Sequence, residues 1–193
     1  MIDRGPSDGT RRPRFLAICG SLRLASTNRI LLEAFARHGA TSATIEMAPD
    51  LATIPPFNPD HEGAATPAAV CVLASRIAAA DGLIIAAPEY AHGIPGALKN
   101  ALDWLVSRSE IPGKPVMLVH ASARGTYVRD HLGEVLRTMS VRLCDREAFE
   151  VHLIGKAADD ARAMLDHADQ RERIRACVAA FAEFAAGPGR SSA

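Results

Sequence analysis

"RFLAICGSLRLASTNRILLEAFARHG", residues 14–39, runs from an apolar segment through small hydrogen-bonding residues into a helical pattern. Residues 14–19 read as a short buried strand. Residues 26–39 read as a helix, because Ile30, Leu31, Ala34, Phe35 and His38 recur at the spacing that puts them on one stripe, and Gly39 suits a C-terminal cap. The turn between them holds Gly20, Ser21, Arg23, Ser26, Thr27 and Asn28. Ser26 is a good N-cap for the helix. A helix N-terminus leaves about four backbone N–H groups unpaired and carries partial positive charge. Ser21, Ser26 and Asn28 add side-chain donors and Arg23 adds a full charge or closes the loop, an arrangement that suits a phosphate dianion. At roughly 1.5–3 kcal/mol per charge-assisted hydrogen bond, four or five would supply a large part of the ~8 kcal/mol of micromolar binding. The same composition also fits a well-capped turn with no ligand.

Outward from this unit, apolar runs and helical patterns alternate. Further strands read at 43–48, 82–88 and 114–122, with a fifth of uncertain limits within 141–151. Helices read at 67–81, 94–108, 126–140 and across 158–186, and "LATIPPFNPDHEG" (51–63) reads as a proline-rich loop. This alternation implies right-handed crossovers and a parallel sheet covered on both faces. Ligands in such sheets sit beyond the carboxyl ends of the strands, which selects the loops after strands one, three and four. The segmentation is a polar arm over 1–13, a single domain over 14–186 and a tail over 187–193.

Composition excludes several classes. The chain has 193 residues with Lys plus Arg and Asp plus Glu both at 22, so no basic excess points to nucleic acid. The four cysteines, Cys19, Cys71, Cys144 and Cys177, form no CxxC pair and support neither a zinc site nor a dithiol motif, nor is any other metal site expected. Their number argues for a reducing cytoplasm. No apolar run approaches the ~20 residues of a membrane span, and the N-terminus lacks the apolar region of a secretory signal. Other phosphate loops fit the first turn worse. GxGxxG needs glycine where Leu22 stands, a Gly-Lys-Ser/Thr tripeptide is missing, and a cysteine-phosphatase loop from Cys19 needs arginine where Ala25 stands. Cys19 therefore reads as core, and His120, at the end of a buried strand, as a core histidine before a ligand.

The loop after the third strand reads "PEYAHGIPGALKNALDW", residues 88–104. Gly93, Pro95 and Gly96 keep it tight and let a planar ligand approach the backbone. Together with Gly20-Ser21-Leu22-Arg23-Leu24-Ala25-Ser26-Thr27-Asn28, this segment resembles the NADPH-dependent FMN reductases of flavodoxin-like fold, a family that includes quinone, chromate and azo-dye reductases. The resemblance rests on a GSxRxxSxN-type turn and a PEYN-x-x-x-PG-x-LKN-x-x-DW segment, and spans residues 14 to about 155. It implies a three-layer sandwich with strand order 2-1-3-4-5. It also implies FMN as cofactor and NADPH or NADH as co-substrate, with electrons passed to quinones, free flavin, azo dyes or metal oxyanions.

By the same resemblance, Ser21, Arg23, Ser26, Thr27 and Asn28 hold the FMN phosphate, and Pro88, Glu89, Tyr90, Ala91, His92 and Gly93 line the flavin ring. Ser122, Arg124 and Gly125, after the fourth strand, close the other side. No general acid, nucleophile or metal is then required of the protein, because the flavin carries the hydride chemistry. The sequence departs from the family pattern in two places: Ala91 stands where asparagine is usual, with His92 next, and Thr126 stands where the third loop has a second glycine, in a loop that is shorter. Asp103 and Trp104 fall off the apolar stripe of their helix, so Trp104 reads as an outward interface anchor. Related proteins form dimers or tetramers over that helix, which implies a homodimer or homotetramer through 94–108. The other functional classes are an electron carrier without its own nicotinamide reaction and a member that has lost its flavin; the neutral charge disfavours the carrier.

Overall fold

The computed structural model describes residues 11–123, 125–144 and 149–187. Its strands are β1 (Arg14–Cys19), β2 (Thr44–Met47), β3 (Gly82–Ala86), β4 (Pro115–His120), β5 (Arg142–Leu143) and β6 (Phe149–Glu150). Its helices are α1 (Thr27–His38), α2 (Ala68–Ala79), α3 (Gly96–Leu105), α4 (Thr126–Thr138), α5 (Ala158–Leu165) and α6 (Ala168–Ala186). The strands are all parallel, in the order β2-β1-β3-β4-β5. The segment expected to hold one fifth strand holds two short ones. β5 pairs beside Pro115 and Val116, and β6 beside Val119 and His120. The chain thus follows β4 along both its ends, and β6 extends the sheet at the carboxyl edge where the site lies.

The period-two alternation of β1 divides the core. Phe15 and Ala17 face a cluster built with α1, α5 and α6, whereas Leu16 and Ile18 face one built with α2, α3 and α4. Gly39 closes α1, its N–H donating to Phe35 O, but at φ −82° it needs no left-handed freedom. Glycine is required there because a Cβ would sit 2.7 Å from Val178 Cγ2.

Trp104 corrects a sequence expectation. It is 2% exposed and belongs to the core. Its indole Nε1–H donates to Pro55 O at 2.8 Å, and Phe57 packs on it edge-to-face. One turn earlier, Asn100 donates to Pro55 O and accepts from Phe57 N–H at 2.7 Å. The outward-looking face of α3 is therefore covered by the proline-rich loop, whose unpaired carbonyls are satisfied by Asn100 and Trp104. Periodicity cannot see this, because the covering segment has no periodicity of its own.

Candidate flavin site

The first loop is shaped from within. Ser26 Oγ accepts from Asn28 N–H and Ser21 Oγ accepts from Arg23 N–H, each at 3.3 Å. Both serines are buried, and Arg23 is exposed. Gly20 lets this loop lie against the end of β3. Its N–H donates to Ala86 O at 2.8 Å, and a Cβ would fall 2.9 Å from Ala87 Cβ. Burial pushes the Cys19 thiol up, away from the thiolate a nucleophile needs.

A cleft of about 270 Å³ opens at the carboxyl edge of the sheet. Six of the expected residues line it: Thr27, Asn28, Pro88, Glu89, Ser122 and Gly125. Asn28 is 5% exposed, and its side-chain Oδ1 has no hydrogen-bond partner among the described residues. An amide orphaned in this way, beside the N–H groups that open α1, costs free energy unless a ligand completes it. The opening N–H groups of α1 suit an anion and the orphaned Oδ1 acceptor suits a hydroxyl donor, so the residues fit a phosphorylated, hydroxyl-bearing cofactor such as FMN.

The second and third loops are fastened to each other. Glu89 Oε2 accepts from Val128 N–H at 3.2 Å, so a carboxylate from one loop caps the helix that ends the other. Gly125, at the N-cap position of α4, makes no side-chain cap of its own. Beyond Glu89 the chain makes a two-residue reversal, with Tyr90 and Gly93 exchanging backbone hydrogen bonds. Its central residues, Ala91 (φ 48°) and His92 (φ 57°), are both left-handed. That is the geometry in which asparagine or glycine is favoured. The turn holds the His92 ring flat on Tyr127 of α4, centroids 4.4 Å apart.

Ser21, Arg23, Ser26, Tyr90, Ala91, His92 and Gly93 thus stand around the cleft rather than in its wall, and Arg124 lies outside the described residues. The wall also includes Ala87, Ala121, Val128 and Ile154, which the sequence did not mark, and His120, which the sequence reads as core before ligand. Ala87 and Ala121 each stand one residue before a marked position and His120 two before Ser122, so counting back from the marked loops toward β3 and β4 would have reached them. Ile154 follows β6 and has no local signal. His120 is buried as expected. Burial, reinforced by the charge of Arg129 and only partly opposed by Glu150, lowers its pKa to about 4, so it presents a neutral imidazole to the cleft at neutral pH.

A parallel sheet with an N-capped, serine-bearing turn after β1 and an open cleft at the exit of β3 and β4 defines a flavodoxin-like α/β protein. Comparison with known proteins narrows this. Residues 13–155 match the NADPH-dependent FMN reductases, and the chain belongs to that family. It is 29% identical to a quinone reductase of Escherichia coli strain K12, over 88% of this chain and 93% of that protein. It is 34% identical to an NAD(P)H-dependent FMN reductase of Pseudomonas aeruginosa, over 79% and 85%. The fold is that of the flavoenzyme NAD(P)H:(acceptor) oxidoreductase FerB of Paracoccus denitrificans, with a TM-score of 0.72 at 21% identity, covering 90% of this chain and 97% of that one. The protein is an FMN-dependent NAD(P)H oxidoreductase, with FMN as cofactor and a reduced nicotinamide as co-substrate.

Proposed function

We propose that the residues 21–28 turn holds the FMN phosphate, that the walls at 87–89 and 120–125 hold the flavin ring, and that the electron acceptor is a quinone. Bound flavin supplies the hydride-accepting and hydride-donating chemistry between nicotinamide and acceptor. The protein's own part is binding and orientation. Thr27 and Asn28 offer polar groups at the cleft end nearest α1, and the opening N–H groups of that helix favour an anion there. Ala87, Pro88, Ala121 and Val128 give apolar walls suited to a planar ring. The neutral His120 imidazole adds a polar edge without a fixed positive charge. Tyr90, His92 and Tyr127 are exposed beyond the wall, where a flat aromatic acceptor would meet them. The name of the Escherichia coli relative supports the quinone assignment.

The observation that carries the cofactor placement is the buried, unpartnered Oδ1 acceptor of Asn28, a residue of the cleft wall, which a cofactor hydroxyl would complete. The test is fluorescence titration of FMN into wild type and Asn28→Leu, beside NADPH oxidation with 1,4-benzoquinone or with free FMN as acceptor. Weakening by about three- to tenfold is expected for the variant, from one hydrogen bond lost, with the quinone reduced faster than free flavin. Equal FMN affinity for both proteins would remove Asn28 from the site, and turnover with free flavin alone would remove the quinone.

Self-association through α3, if it occurs, lacks Trp104 as its anchor. Its support is the exposed Val106 just past α3 and Val72 on the neighbouring α2; light scattering on the eluted protein reads the state directly. Among the described residues no helix is long and apolar enough to cross a membrane. We place the protein in the cytoplasm on the strength of its cysteine content, with no disulfide joining any of the four.

A further inference from the structure

The third loop supplies no side-chain cap of its own where it enters α4; the cap at Val128 N–H comes from Glu89 of the second loop. Nevertheless Ala121, Ser122 and Gly125 form one wall of the cleft, and a wall that must be ordered at each binding event weakens binding. The side chain that spans this loop is Arg129, on the first turn of α4. Its Nη2 donates to Ser122 O at 2.6 Å and lies 2.6 Å from Glu150 Oε2 on β6. The guanidinium is about three-quarters buried, and Glu150 is more than half buried. Behind it, Val151 N–H donates to His120 O and Leu153 N–H donates to Ala121 O, both at 3.0 Å, so the strand carrying Glu150 is itself laced to the start of the loop. Arg129 therefore ties three pieces together: the Ser122 carbonyl of the loop, the helix that follows the loop, and the edge strand beside β4.

We propose that Arg129 is the positioning residue of the third loop: bridging Ser122 and Glu150, it holds Ala121, Ser122 and Gly125 in their binding geometry before the cofactor arrives. This rests on the reading that the cleft binds FMN. Second to burial, the charge of Arg129 also disfavours a protonated His120, so the same side chain helps keep that part of the wall neutral. Both contacts are made by one nitrogen, Nη2, at the far end of the side chain; lysine would preserve the charge, but its stem is one atom shorter and lacks the planar guanidinium that holds that nitrogen between Ser122 O and Glu150 Oε2.

The test uses Arg129→Gln, Arg129→Lys and, as a charge-matched control on the same helix, Arg137→Gln, whose exposed guanidinium pairs only loosely with Glu134 at 3.7 Å. Two quantities are read on the full chain: amide hydrogen exchange across 121–125 without ligand, and the FMN dissociation constant by fluorescence quenching. For Arg129→Gln, exchange in that segment is expected to speed up and FMN to bind about tenfold more weakly, with the thermal midpoint and far-UV spectrum close to wild type. Arg129→Lys is expected to recover only part of both effects, and Arg137→Gln to change neither by more than about twofold. Wild-type values for Arg129→Gln in both measurements would overturn the proposal. Full recovery in Arg129→Lys would also overturn it, since charge alone would then suffice. If Arg129→Gln does not fold, the partial loss in Arg129→Lys decides. If the wild type fails to bind FMN, the cofactor reading falls, while the exchange measurement still reports whether Arg129 fastens the loop.

Discussion

The first loop and the paired second and third loops solve the same task by different means. Within the first loop the side-chain hydrogen bonds run between residues two apart, Ser21 to Arg23 and Ser26 to Asn28, while Gly20 anchors its start to Ala86 O of β3, so most of its shape is written in its own nine residues. The other two are held by groups distant in sequence: Glu89 capping α4 at Val128, His92 stacked on Tyr127, Arg129 spanning to Ser122 and Glu150. A locally closed turn survives changes elsewhere in the molecule. Loops closed on one another share their failures, because loosening any tie frees both walls of the cleft.

The largest expected effect lies on the tertiary side of this contrast, at His120. Its folded pKa of about 4 lies below the ordinary 6.5, so the folded protein binds fewer protons there than the unfolded chain. The stability it permits is complete above pH 6.5 and is lost as the pH falls through that value toward 4. The loss amounts to roughly 3 kcal/mol at 1.36 kcal/mol per pKa unit. Urea unfolding of wild type and His120→Gln at pH 7 and pH 4 should show the wild type falling by about that much more than the variant. Parallel losses in the two proteins would mean that the buried imidazole is not the acid-sensitive group.

A smaller effect is expected on the local side. Ser26→Ala removes the α1 N-cap and should cost about 1 kcal/mol in chemical denaturation. Hydrogen exchange should quicken only in residues 21–28, leaving 88–93 and 121–125 at wild-type rates. Faster exchange in all three loops would erase the distinction between local and shared closure.

The smallest effect sharpens the contrast at the hinge of the second loop. Ala91 adopts φ 48° without the advantage of glycine or asparagine. Ala91→Gly should stabilise the protein by up to about 1 kcal/mol, the relief of the left-handed backbone exceeding glycine's greater freedom in the unfolded chain. The measurement is the thermal midpoint, which should rise slightly with His92 still stacked on Tyr127. A fall would mean that the turn is not strained.

Much of this was legible in the sequence. The strand–turn–helix at 14–39, the cap at Ser26 and the cleft positions Thr27, Asn28, Pro88, Glu89, Ser122 and Gly125 all follow from short-range pattern and from family motifs. Trp104 was misread because its partners, Pro55 and Phe57, lie more than forty residues upstream in a loop without periodicity. The 141–151 segment could not be divided, since β5 and β6 have only two residues each and are defined by pairing with β4.

By itself the sequence determined what depends on neighbours along the chain: which segments bury a face, where α1 begins, and that a turn capped by Ser26 follows the first strand. Only the tertiary structure decided what depends on groups brought together from afar. It set Asn28 with an amide oxygen unanswered in the cleft, made Glu89 a cap for another loop's helix, and put Arg129 between Ser122 and Glu150. The reason is physical: a cap or a stripe is fixed within one turn of backbone, whereas burial and the fate of each buried polar group are settled by whichever segment packs over it.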